Sequence, residues 1–269
     1  EIQHQLARGI LRLQQKDGSL DTHFHSDRRR GENFYPGEAL LALMSLYGQT
    51  NETAYLDAVR KAFPYYRDYW RNNKNTAFVP WHTQAYRLLY EADEEREVAD
   101  FIFEMNDWLI DEYQIHRSRY PDKIGGFGGR LPNVCSTASY LEGVCDACAV
   151  ARAAGPQARA QKYWRSMFSG IRFLLQSQFT QQNMYYLSRL ERARGGFRKT
   201  IVYNAIRIDT VQHAVHALLK ALQQAQQGAP GGGGGAGEDG AGAGGAGAGA
   251  GGGAGGEGEG EGGLMDPDA

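Results

Sequence analysis

Apolar residues recur every three or four positions through most of residues 1–227, and no alternating strand pattern competes with them. This periodicity predicts eight helices, at about 2–15, 37–48, 53–72, 81–92, 95–114, 136–154, 157–178 and 209–227. Asn51-Glu52-Thr53 and Gly155-Pro156 supply stop and start signals between neighbouring elements. Pro64 falls inside the third helix and is expected to kink or divide it, because it lacks an N–H and crowds the preceding turn.

The connections alternate in kind. After the second, fourth and sixth helices they are short: "GQTNE", "ADE" and "GP". After the first, third, fifth and seventh they tend to be longer and richer in polar and aromatic residues, as in "KDGSLDTHFHSDRRRGENFYP" and "IHRSRYPDKIGGFGGRLPNVC". The chain therefore reads as four helical hairpins with their elaborate loops in one phase. An antiparallel pair buries little by itself, so stacked hairpins must share a core. Stacking around an axis would gather the elaborate loops at one end, around the mouth of a central cavity. The expected fold is all-α: an α/α toroid of about four hairpins, and an incomplete one.

Composition changes the picture at the two ends. From Gly228 onward the sequence is almost wholly Gly, Ala and Glu. Such a segment has too little apolar surface to offset its ordering entropy, which predicts a folded domain at 1–227 and a disordered tail at 228–269. That tail is a candidate docking segment for a protein partner. At the other end the chain starts with Glu1, inside a helical pattern of Ile2, Leu6, Ile10 and Leu11, as a fragment would. No secretory signal opens it, and the compartment is left open. The net charge of −2 offers no electrostatic footprint for nucleic acid. No apolar run approaches the roughly 20 residues of a membrane span.

Several stretches resemble the α/α-toroid families. "GILRLQQKDGSL", "GGFGGRLPNVCSTASYLEGV" and "GGFRKTIVYNAIRIDTVQHAVHALL" are similar to the repeats of squalene cyclases and protein prenyltransferase β subunits. "YPGEALLALMSLYGQTNETAYLDAVRKA" is similar to the six-hairpin glycosidases and uronyl epimerases. Both resemblances imply a toroid with more hairpins than this chain carries. The cyclases would imply an Asp-x-Asp-Asp acid, and the prenyltransferases a zinc site with Asp-x-Cys; neither motif is present. Asp209 and His213 lie where a late prenyltransferase repeat carries Asp and His, with a spacing of four rather than three. The glycosidase and epimerase resemblance implies a carbohydrate-active domain that binds a sugar in the cavity. An isoprenoid-type toroid without its usual motifs, or a non-catalytic scaffold, are the alternatives.

Sugar chemistry needs positioned carboxylates or a Tyr, beside aromatic platforms. The mouth segments supply these types. The candidate catalytic residues are Glu38, Glu142, Asp146, Asp209 and His213, and the candidate substrate-binding residues are Tyr35, Trp81, His82, Tyr140, Tyr203 and Arg207. Each has a structural alternative. Glu38 suits a helix N-terminus, Trp81 could fill core, and Asp209 could cap the last helix. Glu142 and Asp146 lie one turn apart and share a face. If that face lines the cavity, like-charge proximity would raise the pKa of one carboxyl group and suit it to act as an acid.

His23, His25 and Asp27 could be imagined around a metal, but Arg28, Arg29 and Arg30 would repel a cation. Those arginines better suit an acidic substrate. No metal and no cofactor is assigned. Cys145 and Cys148 form Cys-x-x-Cys within an apolar helix and read as small buried residues. Cys135 is expected to be a free thiol in a loop.

Overall fold

The computed structural model describes residues 1–23 and 31–231. Among these, 67% are helical and there are no strands. The helices are α1 (Ile2–Leu13), α2 (Tyr35–Thr50), α3 (Thr53–Asn72), α4 (Phe78–Asp93), α5 (Arg96–Tyr113), α6 (Val134–Ala154), α7 (Gln157–Ser177), α8 (Leu190–Ala193) and α9 (Ile208–Gln226). A 3-10 turn covers Pro121–Lys123. The eight expected helices are all present, within a few residues at each end. The single-turn α8 and the 3-10 turn are additions, too short to leave a periodic signal.

The described residues fall in one compact unit. The expected disordered tail lies, from residue 232, outside the described residues, as do His25, Asp27 and Arg28 to Arg30. Three local readings are corrected. Pro64 does not divide α3, which runs through it from Thr53 to Asn72. Pro64 and Arg60 are both exposed there, so water can replace the hydrogen bond that proline removes. Cys135 lies in the first turn of α6, not in a loop. Asp209 is inside α9, whose N-cap is Arg207.

The helices alternate between two sets. One set packs in succession: α2 on α4, α4 on α6, α6 on α9. The other covers it: α3 lies against α2 and α4, α5 against α4 and α6, and α7 against α6 and α9. α6 is buried on nearly every side, including Leu141, Val144, Cys145, Ala147 and Cys148. A helix apolar all round belongs in a core. α3, α5 and α7 are amphipathic and present large residues to the first set. Phe63, Trp70, Tyr86 and Phe101 meet edge-on or tilted at 5.1–6.0 Å between α3, α4 and α5. Each fully buried aromatic contributes about 2–3 kcal/mol of hydrophobic stabilisation.

One loop device is used three times. α1, α5 and α7 each end in a glutamine with extended backbone, Gln14, Gln114 and Gln178. Each glutamine pairs with an apolar residue across the loop that follows: Leu20, Phe127 and Phe197. Each loop turns at a glycine with positive φ: Gly18, Gly125 and Gly195. The side-chain amide of the glutamine then donates to the carbonyl of that glycine, at 3.4, 3.2 and 3.1 Å. The "QQKDGSL", "GGFGG" and "GGFR" stretches are thus the same structural clasp, which stops one helix and turns the chain towards the next element.

Candidate functional site

The site is built on α6 and α9. Asn133 caps α6 by accepting from the backbone N–H groups of Cys135 and Ser136 at 2.9 and 3.2 Å. Two turns further on stands Glu142, only 2% exposed. A buried carboxylate requires partners, and α9 supplies them. His213 Nδ1 lies 2.7 Å from Glu142 Oε1, and His216 Nδ1 lies 3.9 Å from Oε2. Three residues apart, the two imidazoles share one face of α9. Towards an ionised Glu142, Nδ1 of His213 is the donor, and Nε2 is an acceptor whenever the ring is neutral.

α4 and α2 complete the surroundings. The indole of Trp81 meets the His213 ring edge-on, with centroids 5.7 Å apart. Gly37 lets α2 approach α4 closely: a Cβ there would lie 2.6 Å from Trp81 Cβ and 2.7 Å from the His82 ring. That approach brings the next residue, Glu38, into the electrostatic field of His213. Glu38 is solvent-accessible, yet the protein around it removes enough water to raise its pKa above the ordinary carboxylate value; His213 pulls the other way.

Asp209 also feels His213, one turn away. Its carboxylate accepts from Thr210 N–H at 2.7 Å and pairs with Arg207 at 2.9 Å. Its pKa lies below the usual carboxylate value: partial burial works against that, and the bonds from Arg207 and Thr210 outweigh it. Cys135 lies nearby, its thiol pushed up to about 11, first by burial and then by the Asp209 charge. That is far from a reactive thiolate.

The structure therefore brings together Glu38, Trp81, Glu142, His213, Asp209 and Arg207. It separates the others. Asp146 pairs with Arg87 and Lys220, at 2.7 and 2.5 Å, and not with the residues around His213. This cross-link ties α6 to α4 and α9. Tyr140 is buried, with its hydroxyl 2.9 Å from Thr76 Oγ1 and its ring edge-on to Phe127. His82 is fully buried, stacked on Phe78 at 3.4 Å, and Nδ1 faces the Phe78 carbonyl. Burial drives its pKa down to about 3, so it is neutral. Tyr35 and Tyr203 are exposed. Among the described residues no hydrogen bond or ring contact joins either to the Glu142–His213 pair.

His216, Arg87 and Lys220 were not expected. His216 carried a usable signal, its three-residue spacing from His213. Arg87 and Lys220 carried none, since they meet Asp146 across 59 and 74 residues. Among the described residues no group of three or more His, Cys, Asp and Glu side chains is placed to hold a metal ion. No helix among them is long and apolar enough to cross a membrane. No family model, curated protein or solved structure matches the chain.

Proposed function

We propose that the chain is a carbohydrate-active domain, and that the row formed by α2, α4, α6 and α9 is part of an α/α toroid whose open end binds a sugar. The observation that carries this reading is the buried Glu142–His213 pair beside Trp81 and Glu38. An imidazole oriented by a carboxylate is a general base with a fixed tautomer. A second carboxylate with a raised pKa is suited to donate a proton. An indole offers the apolar face of a pyranose a stacking surface. In this reading His213 accepts a proton, Glu142 orients it, Glu38 acts as the acid, Trp81 holds the ring, and Arg207 and Asp209 contact polar substituents. A glycoside hydrolase or a uronyl epimerase would use these parts.

An isoprenoid ligand is the poorer match, because carboxylates and imidazoles are a costly lining for hydrocarbon. The reading is tested by thermal shift with neutral and uronic oligosaccharides at millimolar concentration. A rise in melting temperature with at least one sugar, lost in Trp81→Ala, is expected. No shift with any sugar would end the carbohydrate reading.

A further inference from the structure

The three clasps differ in one respect. In the first, Gln14 Nε2 also donates to the Ala58 carbonyl of α3 at 2.7 Å, and a Cβ on Gly18 would lie 2.2 Å from the Lys61 carbonyl oxygen. In the second, Gln114 Nε2 also donates to the Ser166 carbonyl of α7 at 2.9 Å, and a Cβ on Gly125 would lie 2.0 Å from the Ser169 carbonyl oxygen. The register is the same, since Ala58 and Lys61 are three residues apart and so are Ser166 and Ser169. Each clasp therefore grips the next helix of the covering set by two carbonyls on one face, and the glycine is needed because that helix backbone lies against it.

The third clasp has the same backbone and, among the described residues, grips no helix. Gln178 Nε2 reaches only the Gly195 carbonyl, and among the described residues nothing lies within 4 Å of a Cβ placed on Gly195. Beside it α9 is bare where a covering helix would lie. Ile208, Val215, Leu219 and Leu222 are exposed, the first by 90%. Their spacing is that of one helix face. α2, α4 and α6 have no such stripe, because α3, α5 and α7 cover them. The Gly/Ala/Glu segment after residue 231 has only Leu264 and Met265 as large apolar residues with which to fill it.

The complementary face is on α1. This helix belongs to the covering set and packs on α2 and α3. Its other side exposes Ile2 and Leu6 and, one turn on, Gly9, with nothing within 4 Å of a Cβ there. Positions 2, 6 and 9 share one face, and Gly9 offers bare helix backbone for close approach. We propose that the open Gln178–Gly195 clasp and the apolar stripe of α9 receive α1 of a second copy of this chain, head to tail. α1 of the partner would lie on α9 as α7 does now, and would give Gln178 the carbonyl that Ala58 gives Gln14. Two copies related by a two-fold axis would close both edges at once.

Sedimentation velocity on the full chain, over a concentration series up to about 100 µM, tests this. A reversible dimer is expected. Leu219→Glu should reduce it to monomer, and Gln178→Ala should weaken it at least about tenfold by removing one hydrogen bond at each of the two edges. Circular dichroism verifies that each variant stays helical. In a Cys135→Ser background, Leu6→Cys with Leu219→Cys should give a disulfide-linked dimer, and neither cysteine alone should do so. A monomer at every concentration, a dimer indifferent to Leu219→Glu, or cross-linking by Leu219→Cys alone would overturn the proposal. Preference of the α9 face for a helix of another protein would appear as the first of these outcomes.

Discussion

Glu142 Oε1 and His213 Nδ1 lie 2.7 Å apart, a buried carboxylate and an imidazole joined across α6 and α9 from positions 71 residues apart. The pair holds its two helices in register as well as forming the candidate site, so stability and function can be separated by substitution. Glu142→Gln is nearly isosteric and can still accept from Nδ1. It should cost about 1 kcal/mol or less in urea unfolding. His213→Ala leaves the carboxylate buried with its main partner gone, and should cost about 1–3 kcal/mol. Equal losses in the two variants would mean that the hydrogen bond is not what the buried carboxylate depends on.

Asp146 should behave as a structural residue. Asp146→Ala leaves Arg87 and Lys220 facing each other without their shared anion, and a loss of about 3 kcal/mol is expected. Both cations keep some access to water, with 29% and 24% of their side chains exposed, which argues for the lower end of the range. Asp146→Asn should cost less, because its one amide oxygen can still accept from one of the two cations. Chemical denaturation of the two variants measures this. Loss of sugar response without loss of stability in Asp146→Asn would return this residue to the site.

His82 makes stability depend on pH. Burial holds its pKa at about 3 in the folded protein, against an ordinary value near 6.5 unfolded. Between those values the unfolded chain binds the extra proton, so stability rises with pH across this window and falls as acid is added. The slope from this one group is about 1 kcal/mol per pH unit. Urea unfolding at pH 4, 5, 6 and 7 should show a shallower dependence in His82→Gln than in wild type. Parallel curves would mean that His82 is not the neutral buried group described.

Glu38 and Gly37 make a linked test. The carboxyl resonance of Glu38 should titrate above the ordinary carboxylate value, and His213→Ala should raise it further, since His213 is what opposes the shift. Gly37→Ala puts a methyl group against Trp81 and His82, and should destabilise by about 1–3 kcal/mol through overpacking. Carbon-detected NMR and thermal melting follow the two effects. A Glu38 titration unmoved by His213→Ala would place the two residues outside each other's field.

Much of this architecture is legible in the sequence because its signals are local. Helix periodicity, Asn51 and Gly155 at helix ends, and the Gly-rich clasps each act over a few residues. Pro64 misled because a break depends on whether the freed carbonyl can be hydrated, which is a matter of tertiary exposure. Among the site candidates, Glu142 and His213 carried residue types suited to pairing, but nothing local distinguished Glu142 from Asp146. What separates them is which cations or imidazoles arrive from α4 and α9. Tyr140 and His82 looked like ligands for the same reason: a polar aromatic near a helix start gives no sign of being enclosed.

The central claim is that the Glu142–His213 pair is the heart of a sugar site. Isothermal calorimetry of wild-type protein and His213→Ala, each titrated with the sugar giving the largest thermal shift, tests it most directly. The account predicts saturable binding to wild type and at least about tenfold weaker binding to His213→Ala, about 1.4 kcal/mol, with unaltered helical content. Equal binding to the two proteins, or none to wild type, would contradict it.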